Sequence, residues 1–361
     1  MKQAEGGSIS DAGPPPSRGR PLIEWSVVVL AIVAVDALRL YFMSPYSACC
    51  SNDLLNYILS PGGTESVPPP AAAFGQLFIS LFGLKYGSMA LTTFVGSLLM
   101  VVTFLFFRTF LKPATAIAAF TMSILLWPVN VLVSFNAMDT YLGVVGWLWT
   151  VRSISLISPG GAQKQYYLLA LSLAFSLSFS LPSFGFSLLS ALLIAVSKFH
   201  TPSRILGLMK GLVRYSLPVG IVAGGYGAIY WAQQYLSAGR GILNTPNLSP
   251  LTVAGIRSLG VWFVSSYGDP LWLVVFIISV AEAVMLLRKG DSFLTALYLS
   301  ALLAIFTALY AFPDRITIYL WVPILLGFGI ALEKIWWMGT GAQPLVSESD
   351  EEENSSLYIT G

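Results

Sequence analysis

Long apolar runs, each about the length needed to cross a bilayer, recur along the chain and limit its fold more than any other feature. The 361 residues are 56% hydrophobic and only 10% charged, whereas soluble domains carry about 25% charged residues. Apolar runs of about 20 residues, separated by charges, Pro or Gly, predict transmembrane helices. They lie at 22–43, 88–107, 114–135, 140–157, 166–181, 183–197, 213–232, 270–287, 292–311 and 316–335. The predicted fold is an all-α polytopic membrane protein with about ten transmembrane helices.

The positions of the basic residues predict how these helices are oriented. With the N-terminus in the cytoplasm, fourteen of the nineteen Lys and Arg residues lie in inner segments, as the positive-inside rule requires. The remaining five are Arg39, Lys85, Arg240, Arg257 and Arg315. We therefore expect a multi-pass protein of the cell membrane with both termini in the cytoplasm. The small net charge of +2 argues against a nucleic-acid partner. The expected partner is the lipid bilayer around the helices.

The two ends of the chain differ from the apolar body. Residues 1–21 are rich in Gly and Pro, and residues 338–361 are acidic, so neither tail is expected to bury a core. We expect a disordered N-terminal tail, a transmembrane domain at 22–337 and an acidic C-terminal tail, with both tails in the cytoplasm. The glycines of "GGYG" at 224–227 lack the strand of a dinucleotide-binding fingerprint and are interpreted as sites of close helix packing.

The first outer loop has an unusual composition. Residues 51–70, "SNDLLNYILSPGGTESVPPP", place Asp53 and Tyr57 four residues apart, on one face of a short helix. The following residues, 71–84, are apolar but too short to span a bilayer, and they are bounded by prolines and by Gly83. We expect this segment to lie along the outer interface as a helix, and the loop to frame a cleft at the outer leaflet.

Acidic residues are concentrated on the predicted outer side. The outer acids are Asp53, Glu65, Asp139, Asp269 and Asp314. Near the middle of the bilayer only Asp36 and Glu282 are ionisable, and this scarcity counts against an ion-coupled transporter, which needs polar groups there. Asp36 and Arg39 are three residues apart on one helix, which predicts an intrahelical ion pair.

Several short motifs follow one another in a distinctive order. The first outer loop contains "DLLNY" (Asp53 to Tyr57) and "VPP" (Val67 to Pro69), and the apolar segment ends in "LFG". A later outer acid stands in "AMDTYL" at Asp139, and the last apolar run begins as "FPDRITIYLWVP", with Arg315 at its outer mouth.

This order resembles that of polytopic glycosyltransferases of the GT-C class, in the superfamily of protein O-mannosyltransferases and aminoarabinose transferases. The resemblance covers residues 1–150 well, the last 50 residues loosely and the middle hardly at all. The family has an acidic residue where this chain has Leu54, and a Lys where it has Val67. The resemblance implies a GT-C-like fold and an enzyme that moves a sugar from a polyprenyl-phosphate donor to an acceptor on the outer face, with inversion at the sugar carbon.

Such a transfer requires a base, groups that hold the departing phosphate and a groove for the lipid. Asp53 is the candidate base, and Asp139 is a candidate to orient the acceptor or to hold a divalent cation, the one cofactor considered. The candidate donor-binding residues are Arg315, as a phosphate clamp, with Lys85, Asp314, Tyr57 and Tyr267.

Each of these residues also has a structural interpretation. Asp53 and Asp139 both stand where an acid caps a helix. Arg315 is also placed to pair with Asp314 or to reach lipid headgroups, and the tyrosines fit an interfacial aromatic belt.

Two alternative functions follow from the same sequence. Because Leu54 and Val67 depart from the family motif, one is a non-catalytic relative that binds or flips a lipid-linked glycan. The other is an unrelated small-solute transporter, for which Glu282 is the candidate polar group.

Overall fold

The computed structural model describes residues 20–43, 69–125, 138–157, 163–179, 181–199, 202–236, 270–289, 295–299 and 313–340. These residues are almost entirely helical, and no strand occurs among them, which confirms the all-α class for this part of the chain. The helices are α1 (Arg20–Met43), α2 (Pro69–Phe110), α3 (Pro113–Leu125), α4 (Met138–Leu156), α5 (Gln163–Phe179), α6 (Leu181–Phe199), α7 (Pro202–Arg214), α8 (Leu217–Leu236), α9 (Pro270–Lys289) and α10 (Pro313–Thr340).

The described helices contain fewer clear membrane spans than the sequence predicts. One helix, Ala73–Phe110, is long and apolar enough to cross a bilayer, and α7 with Leu217–Tyr226 adds a second if that bent pair is one span. The apolar helices Pro113–Leu125, Ser183–Phe199 and Leu273–Leu286 are shorter. One or two such helices indicate a membrane protein only weakly, because the core helix of a soluble protein meets the same criteria.

One predicted helix has different bounds. The helix expected at 213–232 begins at Leu217, and the residues before it form the separate helix α7, which is bent by 59° from the start of α8. Pro218 explains the break, because it has no N–H to bond the Arg214 carbonyl oxygen and its ring would clash with that carbonyl in a continuous helix. The predicted helices at 114–135 and 292–311 extend beyond the described residues.

Helix α4 lies at the centre and packs against α2, α5 and α6. A Cβ atom on Gly146 would lie 2.8 Å from the Cα atom of Ser176, so α4 and α5 approach very closely. Helices α4, α5 and α6 are joined by side-chain hydrogen bonds that we call the serine seam. These bonds join Thr150 to Ser172 (3.0 Å), Ser176 to Ser187 (2.8 Å) and Trp147 to Ser190 (2.8 Å). By contrast, Gly224 and Gly225 have no atom within 4 Å of a built Cβ, so the close packing predicted there is wrong for the described part of the chain.

Charged side chains join the helices at one end of the bundle. At this charged end α1 and α3 begin, and α2, α4, α6 and α10 end. Arg108 donates to Glu24 (2.9 Å), and Glu333 accepts from the Lys112 N–H and from the Thr115 hydroxyl (2.6 Å). Lys198 Nζ lies 2.6 Å from the carbonyl oxygens of Ser155 and Ile157, and Arg152 Nε lies 3.2 Å from Thr109 Oγ1.

These contacts determine the directions of the helices. Helices α2, α4, α6 and α10 run towards the charged end, while α1, α3 and α5 run away from it. These are the directions that the predicted alternation of the helices requires.

Candidate functional site

The end of the bundle opposite the charged end is organised around a break in α2. Gly83 has φ 73° and ψ 170°, a conformation that residues with a Cβ rarely adopt. Phe74 and Phe94 would be about 30 Å apart in a straight helix, yet their ring centroids are 5.8 Å apart. Residues 69–82 therefore fold back along the first turns of the helix that follows Gly83. The predicted boundary of the apolar segment at Gly83 is confirmed.

Aromatic rings hold this folded-back arm in place. The Phe74 ring lies 5.7 Å from that of Phe179 at the end of α5, and Phe78 lies 5.7 Å from Phe94. Beneath them, Leu91, Val95, Leu142 and Phe179 form a small buried cluster. We call this region the aromatic end; it contains the Gly83 break, the start of α4 and the end of α5.

Four of the predicted site residues lie at the aromatic end. Asp139 is in the first turn of α4, one turn before Leu142, and Asp314 and Arg315 are in the first turn of α10. Because α4 and α10 both run towards the charged end, their first turns lie at the opposite end of the bundle, as does Lys85. The structure describes the helical backbone of Asp139, Asp314 and Arg315. Asp53, Tyr57 and Tyr267 lie outside the described residues.

Of the predicted site residues, Lys85 is the one whose side chain the structure describes. It follows Gly83 by two residues and is exposed. Its Nζ atom lies 5.7 Å from the centroid of the Tyr86 ring, and its carbonyl oxygen accepts a hydrogen bond from Ser88 (2.8 Å). Among the described residues Lys85 pairs with no acid.

A buried polar cluster lies between α1 and α2. Asp36 and Arg39 form the predicted ion pair, and the second carboxylate oxygen of Asp36 accepts from Ser97 (2.5 Å). Arg39 is fully buried, and a Cβ on Gly96 would clash with its guanidinium. The sequence predicted the pair, but Ser97 and Gly96 could not be assigned to it, because their contact depends on how two helices pack.

A second buried carboxylate lies between α9 and α10. Glu282 is 1% exposed and pairs with Lys334, while its Oε2 atom has no hydrogen-bond partner among the described residues. The hydroxyl of Tyr298 is likewise unpartnered there, and it lies close to Gly327 and to the charge of Glu282. Within the described residues, no three His, Cys, Asp or Glu side chains form a metal site.

Comparison with known proteins adds no family to this description. The chain matches no protein-family model, and no curated protein matches its sequence.

Proposed function

We propose that this chain is a polytopic membrane protein with about ten transmembrane helices that transfers a sugar from a polyprenyl-phosphate donor on the outer face. The observation that supports the proposal is that α4 and α10 both run towards the charged end, so their first turns belong to the opposite end of the bundle, where Lys85 also lies. Asp139, Asp314, Arg315 and Lys85 thus belong to the same end of the bundle.

The outward faces of the helices support the membrane location. On α1, Leu30 is 71% exposed and Val33 59%, and on α9 Ile277 is 57% exposed. The interior holds many polar side chains instead, including the serine seam and the buried charges Arg39 and Glu282. A soluble protein would place its polar residues outside, so this distribution favours lipid around the bundle.

Two details make the proposed spans physically reasonable. Glu24, Asp36 and Arg39 of α1 are each in an ion pair, because Glu24 pairs with Arg108 and Asp36 with Arg39, which lowers the cost of placing them in a bilayer. After the Gly83 break, residues 84–110 form a helix about 40 Å long, which exceeds the hydrocarbon thickness of about 30 Å.

The proposed reaction uses the site residues as follows. The Asp53 carboxylate takes the proton of the acceptor hydroxyl, whose oxygen then forms a bond to the anomeric carbon of the sugar. The bond from that carbon to the phosphate oxygen breaks, and the polyprenyl phosphate leaves with the electron pair. Arg315 holds the leaving phosphate through its planar guanidinium, and Lys85 adds a second positive charge. Asp139 orients the acceptor or holds a divalent cation.

The test is a transfer assay with the purified full chain in liposomes, using a panel of polyprenyl-phosphate hexoses and pentoses. We expect release of polyprenyl phosphate from one donor, and a fall of about 10²- to 10⁴-fold in Asp53→Asn, as for loss of a general base. Glu65→Gln removes another acid from the same outer loop and should leave the rate unchanged. If Asp53→Asn matches the wild type, Asp53 is not the base.

A small-solute transporter is the second candidate function, and the cluster at Glu282 favours it. Transporters keep polar groups deep in the membrane where helices meet, and Glu282 has a buried oxygen atom without a partner in the described chain. Uptake of a solute that is lost in Glu282→Gln but retained in Asp53→Asn would favour transport over sugar transfer.

A further inference from the structure

Helix α7 has both basic and apolar residues on its outward face. Leu208 is buried towards the bundle, whereas Leu206 is 55% and Val213 68% exposed. Lys210 and Arg214 are also exposed and stand four residues apart, on one stripe of the helix. Leu206 lies one turn before Lys210, so the apolar and basic stripes adjoin.

Contacts to neighbouring helices fix the position of α7. It packs against α5 and α6, and a Cβ on Gly211 would lie 2.6 Å from a ring atom of Tyr166 on α5. The rings of Tyr166 and Tyr215 stack with centroids 6.3 Å apart. The helix is thus held sideways, at 59° to α8, with its mixed face turned away from the bundle.

The basic residues around α7 have no acids near them in sequence. No Asp or Glu occurs between Asp139 and Asp269, a stretch that contains eight Lys and Arg residues. Lys164 at the start of α5 is exposed as well and stands two residues before Tyr166, which contacts α7. This part of the surface therefore carries an excess of positive charge that its own chain segment does not balance.

We propose that the outward face of α7 is a binding surface for anionic phospholipids of the inner leaflet. The exposed Leu206 and Val213 enter the boundary between headgroups and acyl chains, and Lys210 and Arg214 bind the phosphates above them. This inference rests on the proposed membrane location and orientation, and it does not depend on sugar transfer. An acidic protein partner would match the charges of Lys210 and Arg214 but would not explain why Leu206 and Val213 are exposed beside them.

The experiment measures which lipids surround α7 in the full chain. Cys49 and Cys50 are replaced by Ser, and Leu206→Cys is labelled with bimane in phosphatidylcholine bilayers that contain some phosphatidylglycerol. Quenching is then compared between phosphatidylglycerol and phosphatidylcholine that each carry a doxyl group on one acyl chain. We expect several-fold stronger quenching by phosphatidylglycerol at equal mole fraction, since each surface cation favours anionic lipid by about five-fold, and a decrease of this preference at high salt.

Two variants separate the charges of α7 from the general positive charge of the chain. Lys210→Gln/Arg214→Gln should bring the two quenching efficiencies close to equality. Arg288→Gln/Lys289→Gln removes the same charge from the end of α9 and should keep the preference for phosphatidylglycerol. Equal quenching by both lipids in the wild type, or an unchanged preference in Lys210→Gln/Arg214→Gln, would overturn the proposal. Absence of quenching by either lipid would also overturn it and would show that another partner, such as an acidic protein segment, covers α7.

Discussion

Helices α1 and α2 are joined by charge, whereas α4, α5 and α6 are joined by the serine seam. In the first contact a fully buried guanidinium, that of Arg39, forms an ion pair with the carboxylate of Asp36. In the seam each hydroxyl takes part in one of several short hydrogen bonds. Loss of one partner leaves a buried charge in the first region but only a small neutral group in the second. Polar groups of similar burial therefore differ greatly in how much of the stability depends on each of them.

The largest effect is expected from Asp36→Leu, because it removes the carboxylate that balances the charge of the buried Arg39 guanidinium. Removal of one member of a buried ion pair costs about 3–5 kcal/mol. The free energy of unfolding, measured by titration with a denaturing detergent, should fall by that amount. The double variant Asp36→Leu/Arg39→Met should recover most of the loss, since it removes both charges together.

The matched control for this prediction is Glu24→Gln. Its partner Arg108 has a side chain that is 40% exposed, and exposed pairs contribute about 0–1 kcal/mol. If Glu24→Gln and Asp36→Leu destabilise the protein equally, burial does not decide the strength of the charged contact.

An intermediate effect is expected from Gly146→Ala, at the closest approach in the serine seam. The new methyl group would lie 2.8 Å from the Cα atom of Ser176, so α4 and α5 must move apart, and such overpacking costs about 1–3 kcal/mol. Gly185→Ala is the control, because its Cβ would meet no atom within 4 Å. Thermal unfolding in detergent should give a lower midpoint for Gly146→Ala and an equal or higher one for Gly185→Ala.

The smallest effect is expected from Ser176→Ala, which removes one hydrogen bond of the seam. Hydrogen bonds between helices in membranes contribute about 0.6 kcal/mol on average. The same detergent titration should detect a loss of this order. A loss as large as that of Asp36→Leu would contradict the idea that the seam distributes its stability over several bonds.

The sequence predicted features that depend on neighbouring residues. Hydropathy identified the helical segments, the Asp36 and Arg39 spacing identified their ion pair, and Gly83 marked the end of the folded-back arm. The serine seam was missed, although the four-residue spacing of Ser172 and Ser176, and of Ser183 and Ser187, is a known signal for close helix packing.

Contacts between distant segments could not be predicted in this way. Arg108 and Glu24 are 84 positions apart, and Lys112 and Glu333 are 221 apart. Hydropathy assigns each residue to a helix but contains no information on which helix faces which. For the same reason the sequence placed Asp139 and Arg315 on one side of the membrane without determining how close together they are.

We propose that the charged end faces the cytoplasm and the aromatic end faces outward. This orientation is tested most directly by single-cysteine labelling in intact cells, with Cys49 and Cys50 replaced by Ser and a new cysteine at Lys85 or Lys210, both exposed in the structure. Lys85→Cys should react with a membrane-impermeant maleimide from outside, and Lys210→Cys only after the membrane is permeabilised. Reaction of Lys210→Cys from outside, with Lys85→Cys protected until permeabilisation, would show that the bundle has the opposite orientation.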